Sequence, residues 1–113
     1  MSSPRDDLTY VEDMLARVRR ILTKSEGVTW EQFRDNDDLH DIVERSISIL
    51  GEAAGRVSKE YRAAHPEVPW VDAMNMRHKI VHDYFGVSYT IVWALIKERL
   101  PGLEAVLAEL VEP

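Results

Sequence analysis

The chain has 113 residues, with 20 acidic against 14 basic side chains, a net charge of −6, 45% hydrophobic residues and no cysteine. That is one domain with a single core, lacking any disulfide framework or thiolate metal site, in keeping with a reducing, cytoplasmic setting. The acidity argues against a general nucleic-acid binder, because phosphates are met by lysine and arginine, but it leaves room for RNA at one basic patch or for a basic protein partner.

The opening, MSSPRDDLTYVEDM, is polar and acidic and is no signal peptide. Leu8, Val11, Leu15, Val18 and Leu22 then step by three and four, predicting a first helix over about 5–25. Ser3 and Pro4 start it and Gly27 stops it. Thr29 and Gln32 have the spacing of a capping box for a short turn carrying Trp30 and Phe33. Leu39, Ile42, Val43, Ile49, Leu50, Ala53, Ala54 and Val57 predict a second, long helix over about 37–64, broken by the prolines of HPEVPW. Inside it, Gly51 and Gly55 lower helix propensity and suggest a close helix approach, at a dimer contact for instance.

A third helix is expected from about 69 to 83, with Gly86 as its terminator. Ser88 caps a fourth helix carrying Ile91, Val92, Trp93, Leu95 and Ile96. Pro101 bends or restarts the chain into a last helix with Leu103, Val106, Leu107 and Leu110. No useful length alternates with period two, and no apolar run approaches the ~20 residues of a membrane span. The expected fold is all-α, a four-to-five-helix up-down bundle filling residues 1–113 as one domain.

One stretch stands apart. MRHKIVHDYFG, residues 76–86, gathers Arg77, His78, Lys79, His82, Asp83 and Tyr84, with two of the four histidines of the chain. Arg77, Lys79 and Asp83 would serve equally as a solvated face. His78 and His82 are four apart, a metal-ligand spacing on a helix, but Lys79 stands where a zincin motif has its acid. There is no cysteine, no glycine-bracketed serine and no glycine-rich phosphate loop. What remains is a histidine that exchanges protons near neutral pH and an arginine that holds phosphate, a pair suited to RNA cleavage through the 2′-hydroxyl. On one ideal helix, however, residues five apart point about 140° apart. One imidazole also leaves no separate acid for the leaving group. Both difficulties ease if two chains pack across a twofold axis, so a homodimer is expected.

The arrangement R-x-x-x-x-H-x-Y, met as Arg77, His82 and Tyr84, resembles the signature of the HEPN superfamily. More narrowly it is similar to the HepT-like toxins of MNT/HepT toxin–antitoxin systems. ILGEAAGRVSKEYR (49–62), HPEVPW (65–70), MRHKIVHDYFGV (76–87), VW (92–93) and LPGLEAVL (100–107) carry that likeness in order. After the arginine the family often has asparagine; here it is His78. The resemblance implies a dimeric bundle and a metal-independent endoribonuclease with Arg77 and His82 in the cleft. It implies no cofactor, membrane or DNA, and a toxin in a type VII-like system. The partner it implies is an MNT-type nucleotidyltransferase antitoxin that neutralises the protein by transferring AMP to Tyr84. His78 and Glu52 are supporting candidates, Glu52 as a carboxylate that could orient Arg77 or serve as a plain ion-pair partner. Trp70 and Trp93 are expected in the core, His40 and His65 at the surface. The competing function is a non-catalytic helical subunit that binds a nucleotidyltransferase, which the acidity favours. A metal bundle using His78 and His82 is a third.

Overall fold

The computed structural model describes residues 4–82 and 86–113; His82 is described by its backbone alone. Helix α1 (Pro4–Ser25) is followed by the short α2 (Trp30–Arg34), then α3 (Asp37–Arg56), α4 (Lys59–Ala64) and α5 (Trp70–Ile80). Two-residue strands β1 (Val81–His82) and β2 (Gly86–Val87) form an antiparallel pair, with Val81 opposite Val87 and His82 opposite Gly86. Helix α6 (Tyr89–Ala94) runs through a π-helical turn (Leu95–Arg99) into α7 (Leu100–Val111). The fold is the all-α bundle expected.

Helix α1 is central. Its Val11, Met14, Leu15, Val18 and Ile21 are buried in one core with Val43, Ile47, Leu50 and Ala54 of α3 and Leu100, Leu103 and Leu107 of α7. Helix α5 adds Ala73, Met76 and Ile80 from the other side of α3. The α1 stripe therefore begins at Val11, and Leu8 stays 37% exposed. The Thr29–Gln32 capping box forms, and Gly27 sits at φ +74°, a left-handed turn glycine adopts without strain.

Three helix boundaries depart from the periodicity. The helix expected over 37–64 is two helices, because Val57 is extended and Ser58 starts α4. A buried Asp7 on α1 causes the break, accepting from the Ser58 backbone N–H at 2.8 Å and from its hydroxyl at 2.7 Å. A contact 51 residues away thus captures the N–H that continuing the helix would need. The helix expected over 69–83 ends at Ile80. The β-branched Val81 is extended (φ −93°, ψ 126°), and the Ile80 carbonyl accepts from the Ser88 N–H at 2.7 Å. Gly86, at φ +75°, serves the strand pair and not a helix end. Pro101, which has no N–H to return to Lys97, lies just beyond a turn in which Leu100 N–H bonds the Leu95 carbonyl. The chain stays helical through that wider turn and does not restart.

His40, expected at the surface, is buried at 6% exposure. Its Nε2–H donates to the Phe33 carbonyl at 2.7 Å and its ring stacks on Tyr89 at 3.7 Å. This ties α3 to the start of α6.

The close approach signalled by Gly51 lies within the chain. A Cβ there would stand 3.2 Å from the carbonyl oxygens of Ala73 and Met74, so α3 and α5 meet backbone to backbone, while Gly55 faces the Met74 side chain. Gly102 in α7 has open space around it. Two alanine substitutions should therefore act oppositely. Gly102→Ala should stabilise by about 0.5–1 kcal/mol, the ordinary helix-interior difference. Gly51→Ala has the same propensity gain, but overpacking against backbone costs about 1–3 kcal/mol, leaving a net loss of up to about 2 kcal/mol. Urea denaturation decides; equal stabilisation by both would refute the tight α3–α5 contact.

Candidate active site

Arg77 stands on the last turn of α5, held in place by the α3–α5 contact at Gly51 and by burial of Met76 and Ile80 on either side of it. Its side chain is exposed and lines a cleft of about 160 Å³ with Glu44, Arg45 and Ser48 of α3, Ile80, Val81 and Val87. Among the described residues it has no ion-pair partner. The neighbouring basic group differs. Lys79 pairs with Asp72, which also takes Arg99 at 3.2 Å, so that charge is spent in a surface network. His78 is exposed and, one residue on, projects about 100° from Arg77.

His82 lies beyond the helix, in β1, directly after Val81, which lines the cleft; its ladder partner Gly86 directly precedes Val87, which also does. The cleft thus ends at the strand pair that carries His82. This removes the premise of two sequence arguments. The 140° divergence of Arg77 and His82 supposed one helix, and so did the shared face of His78 and His82. The extended Val81 breaks both. Tyr84 lies outside the described residues.

The far wall of the cleft is fixed by Glu44. Tyr89 donates its hydroxyl proton to this carboxylate at 2.7 Å. Burial, then that hydrogen bond, pushes the Tyr89 phenol up to about 12, so it remains a donor throughout the neutral range. Glu44, Arg45 and Ser48 were not singled out by the sequence. Their three-and-four spacing marks one polar face of α3, but only the packing shows that α5 lies across it. Glu52 does not reach Arg77 within the chain. Its carboxylate takes Arg56 at 2.9 Å on its own helix and lines a separate hollow with Tyr10 and Asp13. The plain ion-pair role is the one the structure gives it.

An exposed guanidinium beside a second arginine, in a cleft that ends at the strand pair whose sequence carries His82, suits a phosphodiester by supplying fixed positive charge for the phosphate. Among the described residues no group of three or more histidine, aspartate and glutamate side chains could hold a metal ion, and no helix is long and apolar enough to cross a membrane.

Comparison with known proteins adds the rest. The profile of the family described as "Ribonuclease HepT-like" matches residues 11–110. The chain is 35% identical over 112 residues to "Putative RNase TTE0752" of Caldanaerobacter subterraneus, covering 99% of this chain and 97% of that protein. It is 31% identical over 100 residues to "Probable ribonuclease HepT" of Thermococcus cleftensis, covering 88% and 91%. It is 28% identical over 102 residues to "Putative RNase MJ1380" of Methanocaldococcus jannaschii, covering 90% and 94%. No solved structure matches it.

Proposed function

Because the chain belongs to the HepT-like ribonuclease family, we propose that it is a metal-independent endoribonuclease whose cleft residues are Arg77 and His82, and that it works as a homodimeric toxin restrained by a nucleotidyltransferase antitoxin. The observation that supports the site most directly is Arg77 itself. It is exposed, without an ion-pair partner among the described residues, and points into the cleft that ends at the His82-bearing strand.

The chemistry needs little more. The imidazole of His82 takes the proton of the RNA 2′-hydroxyl as its oxygen attacks the adjacent phosphorus. Arg77 holds the non-bridging oxygens as they gain charge. The bond from phosphorus to the 5′-oxygen breaks, and a protonated His82 from the second copy supplies the proton to that oxygen. The products are a 2′,3′-cyclic phosphate and a 5′-hydroxyl. A twofold axis close to the strand pair gives one base and one acid per scissile bond, which a single His82 does not supply. His78, next to Arg77, is assigned a supporting contact at the same phosphate.

The test is digestion of a labelled RNA by purified protein with and without EDTA, alongside sedimentation at micromolar concentration. Cleavage should persist in EDTA, leave cyclic phosphate ends and accompany a dimer. A monomer that cleaves RNA would overturn the shared cleft. A protein that cleaves no RNA yet binds a nucleotidyltransferase would be the non-catalytic subunit, the reading its net acidity favours.

A further inference from the structure

A second and larger groove, of about 560 Å³, runs between α1 and α3 and is lined by Asp13, Arg17, Arg20, Ile42, Arg45 and Ile49. We infer that this groove binds the phosphates of the RNA strand leading to the Arg77 cleft, with Arg17, Arg20 and Arg45 as a backbone-tracking row. The inference rests on the ribonuclease reading above and extends it to the path of the substrate.

Arg45 lines both the groove and the Arg77 cleft, so the two adjoin at that residue. The spacing is built in. Asp13, Arg17 and Arg20 step by four and three along α1, and Ile42, Arg45 and Ile49 step by three and four along α3, so each set forms one face of its helix.

Charge selects the occupant. The chain carries −6 overall, and most of its other arginines are engaged: Arg19 by Glu104 and Glu112, Arg34 by Asp35, Arg56 by Glu52, Arg99 by Asp72. Arg17, Arg20 and Arg45 have no ion-pair partner among the described residues. Three like charges around one groove, with Asp13 the acid among its described lining, repel one another and attract a polyanion. The half-buried Ile42 and Ile49 between them offer an apolar floor for ribose and base faces, as in grooves that hold single strands. A second copy of this groove would bring arginine against arginine, so RNA fits it better than self-association does.

The experiment measures binding apart from cleavage. Affinity of a His82→Ala protein for a labelled single-stranded RNA is read by fluorescence anisotropy across salt concentrations, with and without Arg17→Gln and Arg20→Gln together, and with Arg17→Lys and Arg20→Lys together. Each phosphate contact on a single strand contributes about 0.7 to the slope of log affinity against log salt. The glutamine pair should therefore weaken binding and flatten the slope by about 1.4, while the lysine pair, which keeps the charges, should restore it. Unchanged affinity and slope in the glutamine pair would overturn the track and leave the ribonuclease reading intact. Loss of the dimer with RNA affinity and salt slope unchanged would overturn it too and assign the groove to a second copy. The predicted slope change in a protein whose parent never cleaves RNA would uphold the track and count against the catalytic reading alone. Absence of RNA binding in the parent would end both.

Discussion

Replacing His82 by alanine is expected to lower RNA cleavage by about 10²–10⁴-fold, the usual worth of a positioned acid–base group. Arg77→Ala should cost about 10²–10³-fold, the range for a lost donor at a site of developing charge. Both residues act on one transition state, so the double variant should lose far less than the product of the two factors. Stability is the control. Arg77 is exposed with no ion-pair partner among the described residues, and removing it should change unfolding free energy by no more than about 0.5 kcal/mol. Arg77→Lys separates charge from geometry: it keeps the positive charge but loses the planar fork, and should recover only part of the rate. Initial rates on a defined RNA, with urea melts of every variant, check this. Parent-like rates in both alanine variants would remove the proposed mechanism; lost activity with lost stability would make the residues structural.

How much of this was legible in the sequence depends on how local the deciding contact is. The first helix, its stop at Gly27, the Thr29–Gln32 capping box and the Ser88 cap all rest on residues within a few positions of one another, and all form. The break at Val57 does not, because Asp7 decides it from α1. His40 is polar by composition, yet α2 and Tyr89 close over it. Gly51 announced a close approach without saying to what; the partner proved to be the α5 backbone. Arg77 was singled out by its residue type, whereas the cleft neighbours Glu44, Arg45 and Ser48 needed the packing of α5 on α3. The same holds for the net charge. Averaged over the chain, it speaks against RNA. Resolved onto the described surface, carboxylates pair with Arg19, Arg34, Arg56 and Arg99, while Arg17, Arg20 and Arg45 line a groove beside the cleft.

Incubation with the proposed nucleotidyltransferase partner, ATP and Mg²⁺ is expected to add AMP to Tyr84 and to abolish RNA cleavage. Tyr84 lies outside the described residues; in sequence it is two residues after His82 and two before Gly86. In the proposed step the phenol oxygen forms a bond to the α-phosphorus of ATP, pyrophosphate leaves, and the phenol proton passes to the transferase or to water. The product carries a phosphodiester charge and a nucleotide's bulk. That charge should compete with substrate phosphate for Arg77, and the bulk should keep RNA out of the cleft. The modified protein should therefore lose at least as much activity as Arg77→Ala, about 10²-fold or more. Tyr84→Phe removes only the accepting oxygen, so it should keep the fold and most of the cleavage while escaping neutralisation. Intact-protein mass spectrometry reads the transfer and the RNA assay reads its consequence. The switch fails if the parent gains no AMP, if Tyr84→Phe gains as much, or if fully modified protein cleaves RNA at the parent's rate.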